Sequence, residues 1–413
     1  MKIVHAADLH IDSPLRGLDR YEGAPVDKLR GATRRALENL VRLCIDEEAE
    51  LLLLAGDVFD GSWKDYSTGL FFAAQMSRLN EAKIPVVIVR GNHDALSSVV
   101  KALRLPGNVH ELSAKKPETK VVGGRIAVHG QSFEKKTATE DLAARYPDRV
   151  PGLFNIGLLH TSIDGREGHE PYAPTSLETM RAKGYDYWAL GHVHAREIVS
   201  KDPWIVYPGN LQGRHARETG SKGATMLTVE GNVVEELEHR ALDVVRWEHV
   251  TVDVTEATEL ATVLDLARAA LQAVTSEGRV LAARLTLHGR TAANSAIRQD
   301  TDRLTSELRA LATDLGDVWI EKIHVDTRAA IDLPRIREEA SAVGHLARRI
   351  QAIREDDAEL AALFEVLGEL EKKLPVELRE GEGLRLGDPA FLRGLMDDVE
   401  QLLVPRLLEG RED

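Results

Sequence analysis

The chain has 413 residues, 43% of them hydrophobic and 29% charged, with a formal net charge of −14 and a single cysteine, Cys44. This is the composition of a globular protein large enough for two or three domains. No apolar run reaches the roughly 18 residues of a membrane span, no signal peptide is expected, and one cysteine excludes an internal disulfide or a cysteine-based zinc site. The acidic balance speaks against a protein that coats DNA by charge alone, but not against a nuclease, because bound cations can neutralise phosphate locally. A cytoplasmic protein is the expectation.

Lys2–Ala7 reads as a first strand, and Asp8-Leu9-His10 leaves it at its carboxyl end. Over Lys28–Glu48 the residues Leu29, Ala32, Ala36, Leu40 and Cys44 recur at helical spacing, which makes Cys44 a core thiol. Leu51–Ala55 is a continuous apolar strand ended by Gly56-Asp57, Tyr66–Asn80 reads as a helix, and Pro85–Arg90 is a strand ended by Gly91-Asn92-His93-Asp94. This alternation is that of a parallel sheet covered by helices.

The middle of the chain is richer in strands. Short β-like runs at Thr119–Val122, Arg125–Gly130 and Asn155–His160 precede Tyr185–Leu190, which leads into Gly191-His192-Val193-His194. Trp204–Tyr207 then leads into Pro208-Gly209-Asn210, and Ala224–Glu230 closes the region, predicting a second sheet packed on the first. From about residue 241 a separate small α+β unit is predicted. Arg246–Val254, the alternating run Leu281–Leu287 and Val318–Asp326 are its strands, with two amphipathic helices between them and Thr255 as a cap. Beyond Ile331 the chain reads as helical and highly charged. Leu346, Ile350 and Ile353 form one apolar stripe, and Leu360, Leu363, Phe364, Leu367 and Leu370 form another. After a turn-rich break at Glu380–Gly387, Asp388-Pro389 has the form of a helix start.

The chemistry gathers at the strand ends. Carboxylate, imidazole and amide side chains suit divalent metals of intermediate hardness, and strands that deliver them from their carboxyl ends build a site on one rim. Two metals need a bridging ligand, for which a carboxylate serves well, and Asp57 is the candidate. Asp8 with His10, and His192 with His194, stand two apart, so that each pair can turn toward one ion; Asn92 offers a neutral oxygen, and His160 ends its own strand. His93 is better placed beside the metals, where it can protonate a leaving oxygen or stabilise charge. The expected nucleophile is a water bridging the metals. His5, His129 and His288 lie inside strands as packed residues, and His110, His169, His239, His249, His324 and His345 have no partner motif.

D-L-H, G-D-V-F-D, G-N-H-D, L-L-H-T and G-H-V-H, in this order over residues 1–230, resemble the calcineurin-like metallophosphoesterase superfamily. The string H-A-A-D-L-H-I-D-S-P-L, with Y-P-G-N-L-Q-G-R at Tyr207–Arg214, is similar to the bacterial DNA repair exonuclease branch, SbcD-like and especially YhaO-like. The resemblance implies an α/β fold: a four-layer αββα sandwich over 1–240, a small βαβαβ capping domain over 241–328 and a helical C-terminal region over 329–413. It implies one metal on Asp8, His10, Asp57 and His194, the other on Asp57, Asn92, His160 and His192, and His93 as the catalytic histidine.

It further implies two divalent ions, manganese by family habit, and a 3′-to-5′ exonuclease and single-strand endonuclease acting on DNA. The partner it implies is an SMC-like coiled-coil ATPase docking on the C-terminal helices, with homodimerisation by analogy. The apolar stripes of 340–372 suit that docking, or equally the protein's own core. Arg214 and His215 are candidates for substrate-phosphate contacts, and an exposed loop is the alternative. Asp60 stands where some members carry histidine, which reads as an altered surround of the metals; Gly61 replaces the arginine of the protein phosphatases, which argues against that activity. Lys101, Arg104, Lys115, Lys116, Lys135 and Lys136 are candidates for a DNA path, although a solvated charged face is the simpler account. The competing readings are a small-molecule, cyclic-nucleotide-type phosphodiesterase and a non-catalytic scaffold. The size of the segments beyond the motifs favours a macromolecular substrate, and the complete ligand set disfavours the scaffold.

Overall fold

The structure is a computed structural model that describes residues 1–13, 29, 31–60, 66–96, 103–135, 140–163, 174–275, 278–362, 373 and 388–409. Its contacts gather into two compact units. The first is Met1–His249 with Val274–Arg284 and Asp317–Glu321; the second is Val250–Ala273, Leu285–Gly316 and Lys322–Asp413.

The first unit is built on two sheets. One contains β1 (Lys2–Ala6), β2 (Leu51–Ala55), β3 (Val86–Val89), β4 (Val109–Glu111), β11 (Gly223–Glu230) and β12 (Val233–Ala241), in the order β12-β11-β1-β2-β3-β4. The other contains β5 (Glu118–Val122), β6 (Ile126–Gly130), β7 (Phe154–His160), β8 (Tyr187–Gly191), β9 (Glu197–Lys201) and β10 (Trp204–Tyr207), in the order β5-β6-β7-β8-β10-β9. β1 to β4 run parallel, as do β6, β7, β8 and β10, while antiparallel strands close both edges of the second sheet and the β12 edge of the first. The parallel centre of each sheet therefore delivers the carboxyl ends of its strands to a common rim.

Side-chain alternation explains the layering. In β2, Leu52 and Leu54 face the helices α1 (Ala32–Asp46) and α2 (Tyr66–Glu81), packing on Ala36, Leu40, Phe72 and Met76. Leu51, Leu53 and Ala55 point the other way and meet Val128, Ile156, Leu158 and Tyr187 of the second sheet. β8 repeats the pattern: Tyr187 and Ala189 face the first sheet, whereas Trp188 and Leu190 pack outward on Leu142, Tyr146 and Met180. Met180 belongs to the short helix α3 (Leu177–Ala182), started by Ser176, whose hydroxyl accepts from Thr179 N at 3.0 Å. Helix, sheet, sheet, helix is the αββα order. Because both faces of β2 are covered, the strand reads as an unbroken apolar run instead of an alternating one. Each leucine so enclosed contributes on the order of 1.5–3 kcal/mol relative to exposure.

The three remaining strands, β13 (Val245–Asp253), β14 (Val280–Thr291) and β15 (Val318–Ala329), form a third sheet in that order. Helix α4 (Leu260–Val274) lies between β13 and β14, and α5 (Asn294–Gln299) and α6 (Thr301–Asp314) between β14 and β15. Val263, Ala267 and Leu271 on α4, and Leu304, Leu308 and Leu311 on α6, are buried at helical spacing. Thr255 does not cap α4. It turns back instead, its amide and hydroxyl both donating to Asp253 Oδ1 at 2.9 and 2.6 Å, and the helix starts at Leu260.

In the second unit the chain ends in α7 (Leu333–Glu338), α8 (Ala342–Glu355) and α9 (Pro389–Glu409). Ile350 and Leu360 pack with Leu392 and Met396, and Val343 and Ala347 with Val404, so the described part of the apolar stripes faces the protein's own helices. The continuation, Leu363, Phe364, Leu367 and Leu370, and the break at Glu380–Gly387 lie outside the described residues, as do His169, Lys101 and Lys136. α9 begins as its sequence predicts: Asp388 Oδ1 accepts from Ala390 N at 2.9 Å, ahead of Pro389. Among the described residues no helix is long and apolar enough to cross a membrane.

Candidate metal centre

The ligand-type residues sit where the central strands end, on backbone that most side chains avoid. Asp8, His10, Asp57 and His192 have φ of 51°, 41°, 51° and 101°, and Gly56 has 91°. A non-glycine residue at positive φ is uncommon, and a group of them at one rim marks backbone held by its surroundings. Backbone bonds supply part of that hold, with Asp8 N donating to Gly56 O and His10 N to Asp57 O, each at 3.0 Å. The glycines of the motifs have a steric cause. A Cβ on Gly56 would lie 2.4 Å from His160 Nδ1, and one on Gly191 would lie 1.9 Å from the Ala55 carbonyl oxygen.

The side chains converge. Ligand atoms of Asp8, His10 and His194 lie within 4.8 Å of one another, and so do those of Asp8, Asp57 and His160 and those of His10, Asp60 and His93. His10 Nε2 faces His194 Nε2 at 3.3 Å. Asp57 Oδ2 stands between two imidazoles, 3.9 Å from His10 Nε2 and 3.4 Å from His160 Nε2. Asn92 Oδ1 is 3.0 Å from His160 Nε2, and the His192 ring packs edge-on against His160 with centroids 5.2 Å apart. Asp8 accepts from His192 N at 2.9 Å. Two atoms each about 2.1 Å from one ion stand about 3.0–3.4 Å apart at angles from square to tetrahedral, close to most of these separations.

The protonation pattern tests whether cations fit. His160 Nδ1 donates to the Ala55 carbonyl at 2.9 Å, so in the neutral ring Nε2 carries a lone pair. That lone pair faces two oxygens, Asn92 Oδ1 and Asp57 Oδ2, an arrangement that only a proton or a cation makes favourable. Burial works against charge on His160, yet Asp57 raises its pKa. Burial would likewise raise Asp57, but His160, His10 and His93 hold its carboxyl below the usual carboxylate range. His10 Nδ1 is buried with no partner within hydrogen-bond distance, Asp60 Oδ1 facing it from 3.8 Å. Burial holds His10 toward its neutral form while Asp57 draws His160 toward protonation, and a buried carboxylate in that state lacks positive charge, which divalent cations are suited to supply.

His93 stands at the open side of this cluster, its side chain 38% exposed, with Nδ1 2.9 Å from Asp60 Oδ1 and its ring 5.1 Å from that of His10. The hydrogen bond to Asp60 raises the His93 pKa, and the His10 and His93 imidazoles hold Asp60 well below the carboxylate range. Ser13 Oγ donates to Asp60 Oδ2 at 2.7 Å and accepts from Arg214 Nη1 at 3.3 Å. Arg214 Nη2 lies 3.4 Å from His194 Nδ1, which places its guanidinium beside the cluster. His215 is farther out, 57% exposed, with Nε2 3.5 Å from Glu218 Oε1.

Two members of this surround do not stand out in the sequence. Ser13 reads as part of a polar loop, and Glu218 stands among other charged residues with no spacing to distinguish it. Glu218 Oε1 accepts from His194 Nδ1 at 2.7 Å, and although burial opposes its charge, His194 holds the Glu218 carboxyl well below its usual range. Arg104, Lys115, Lys116 and Lys135 are exposed.

The calcineurin-like phosphoesterase profile matches residues 1–196. The profile of the middle domain of metallophosphoesterase YhaO matches residues 247–328. Over 294 residues the chain is 36% identical to metallophosphoesterase YhaO of Bacillus subtilis (strain 168), an alignment covering 70% of this chain and 72% of that one. The chain belongs to the YhaO-like metallophosphoesterases. As a YhaO-like protein it is a metal-dependent phosphoesterase, of a family that uses divalent metals. It is also 25% identical over 248 residues to the DNA double-strand break repair protein Mre11 of Sulfurisphaera tokodaii, covering 56% of this chain and 60% of that one. Among solved structures, a protein of Thermus thermophilus aligns over 58% of this chain and 98% of its own, with 17% identity and a TM-score of 0.35.

Proposed function

We propose that this YhaO-like protein is a two-metal DNA phosphodiesterase, working with manganese as a 3′-to-5′ exonuclease and single-strand endonuclease in DNA repair. The observation that carries the reading is Asp57 Oδ2 standing between His10 and His160, with His93 on Asp60 at the open side. One ion would be held by Asp8, His10, Asp57 and His194, the other by Asp57, Asn92, His160 and His192. When bound, the ions supply a water nucleophile ionised near neutral pH and neutralise the phosphate.

The chain's own residues do the rest. Asp60 fixes the His93 ring through Nδ1, so Nε2 points away from it and can donate to a phosphate oxygen or to the leaving oxygen. Arg214, braced by Ser13, presents a guanidinium whose planar fork matches phosphate, and His215 flanks it. The DNA substrate is supported by the Mre11 relative. Residues 241–328 act as a cap in this reading. An SMC-like ATPase docks on the helices of 329–413, where Val399, Leu402, Leu403 and Leu407 of α9 are exposed.

The test is digestion of end-labelled linear DNA with Mn2+, beside a chelator control and His93→Ala, with bis-p-nitrophenyl phosphate hydrolysis read in parallel. Degradation lost in both controls is the expected result. Hydrolysis of the small ester with DNA intact, even after addition of an SMC-like ATPase, would overturn the nuclease and leave a small-molecule phosphodiesterase.

A further inference from the structure

We infer that Glu218 is a positioning residue of the metal centre: it fixes the tautomer and direction of His194 and, through the same carboxylate, the turn that carries Arg214. The inference rests on His194 being a metal ligand, as proposed above. Among the ligand candidates, Asp8, His10, Asp57, Asn92 and His160 are 0–4% exposed and are walled in by their neighbours. His192 and His194 are only half-buried, His194 with 26% of its side chain exposed. Packing alone leaves the His194 ring free to rotate, and Arg214 Nη2, a donor 3.4 Å from Nδ1, leaves it free to carry its proton on the other nitrogen.

Glu218 removes both freedoms. Its Oε1 accepts from His194 Nδ1 at 2.7 Å, and an ionised carboxylate accepts only, so the proton stays on Nδ1 and the lone pair of Nε2 faces His10 Nε2, 3.3 Å away. Its Oε2 accepts from the backbone amide of Arg214 at 2.7 Å and from Asn210 Nδ2 at 2.9 Å. The Arg214 Nη2 atom is 3.6 Å from Oε1. The residue is 8% exposed, and its own amide donates to the His215 carbonyl at 2.9 Å, closing the turn. The carbonyl of His194 accepts from Lys222 Nζ at 2.9 Å and from the amide of Asn210 at 3.3 Å, the same Asn210 whose side chain binds Glu218. Glu218 thus acts on the imidazole directly, and on the His194 backbone only through Asn210.

The full-length protein would be titrated with Mn2+ alone by calorimetry, as wild type and as E218A, E218Q, E218D, D8N and R214A, with the metal-free melting temperature of each. Expected is a loss of Mn2+ affinity of about 10–100-fold in E218A, the range for removing an outer partner of a metal-bound histidine. E218Q, which keeps an acceptor for Nδ1 but turns an NH2 group toward the Arg214 amide and Asn210 Nδ2, recovers only part of it. R214A leaves Mn2+ binding unchanged and raises the KM for bis-p-nitrophenyl phosphate. Wild-type Mn2+ affinity in folded E218A overturns the inference. Should E218A fail to fold, E218D decides: it withdraws the oxygens by one methylene, so weakened Mn2+ binding is expected and wild-type binding overturns it. D8N separates the two levels, because unchanged Mn2+ binding there defeats the proposed metal site itself, whereas loss in D8N without loss in E218A defeats only the role of Glu218.

Discussion

At the scale of single residues, His93 and Asp60 show how a motif and its partner differ in legibility. G-N-H-D singles out His93 from sequence, because an imidazole beside a ligand amide has an obvious task. Nothing in the sequence pairs it with Asp60, 2.9 Å away across the rim. His93→Ala is expected to lower kcat for bis-p-nitrophenyl phosphate about 10²–10⁴-fold, the usual span for a general acid or charge-stabilising group, while Mn2+ binding persists. Asp60→Ala should cost less than His93→Ala, because it loosens the ring without removing it. A larger loss in Asp60→Ala, or none in His93→Ala, would contradict those roles.

Secondary-structure elements matter here for where they stop. β2 runs into Gly56 and β8 ends at Gly191, and both positions must be glycine because their neighbours leave no room for a Cβ. Gly191→Ala would place a methyl 1.9 Å from the Ala55 carbonyl oxygen, so the two strands must part. A destabilisation of about 3 kcal/mol or more is expected by urea unfolding, at the upper end of overpacking costs; a stability equal to wild type would show that the rim yields. Leu53, fully buried between the two sheets, tests the layer contact itself: Leu53→Ala should cost about 2–5 kcal/mol. In the C-terminal helices, Glu400 is 1% exposed and its carboxylate takes Arg337 Nη2 at 2.7 and 3.0 Å. Glu400→Ala strands that arginine and should lower stability by about 3 kcal/mol. The start of α9 was legible in Asp388-Pro389, where the cap is local. The supposed cap at Thr255 was not, because the hydroxyl found a nearer acceptor in Asp253.

For the molecule as a whole, pH and metal are the levers. His5 joins the two sheets, its Nε2 donating to Leu190 O at 3.1 Å and its Nδ1 accepting from Tyr187 Oη at 3.0 Å. Burial pushes its pKa down to about 3. Since the unfolded chain takes up this proton near pH 6.5 and the folded chain does not, the contribution of His5 is whole above about pH 6.5. It is lost at about 1.4 kcal/mol per pH unit as pH falls toward 3. His5→Gln should flatten that acid limb in urea unfolding followed between about pH 7 and 4; an unchanged slope would mean that the acid sensitivity arises elsewhere. Divalent metal that binds the folded chain alone raises the melting temperature by mass action. Mn2+ should therefore raise it and a chelator reverse the rise, and an Asp57→Asn variant should show neither change.

What the sequence determined by itself was local or periodic. Apolar runs the length of strands, helical spacing between them and ligand-type residues at strand ends were sufficient for a helix-covered parallel sheet with a second sheet packed on it and for the list of candidate ligands, because burial pattern and strand exit are written in neighbouring residues. The αββα order itself came from the family resemblance. What only the tertiary structure decided was long-range. The bracing of His194 by Glu218, the Ser13 bridge from Asp60 to Arg214 and the place of Asp57 Oδ2 between two imidazoles join residues from separate strand ends and loops. Their spacing along the chain has no period, so the directions of their side chains exist only once both sheets have packed.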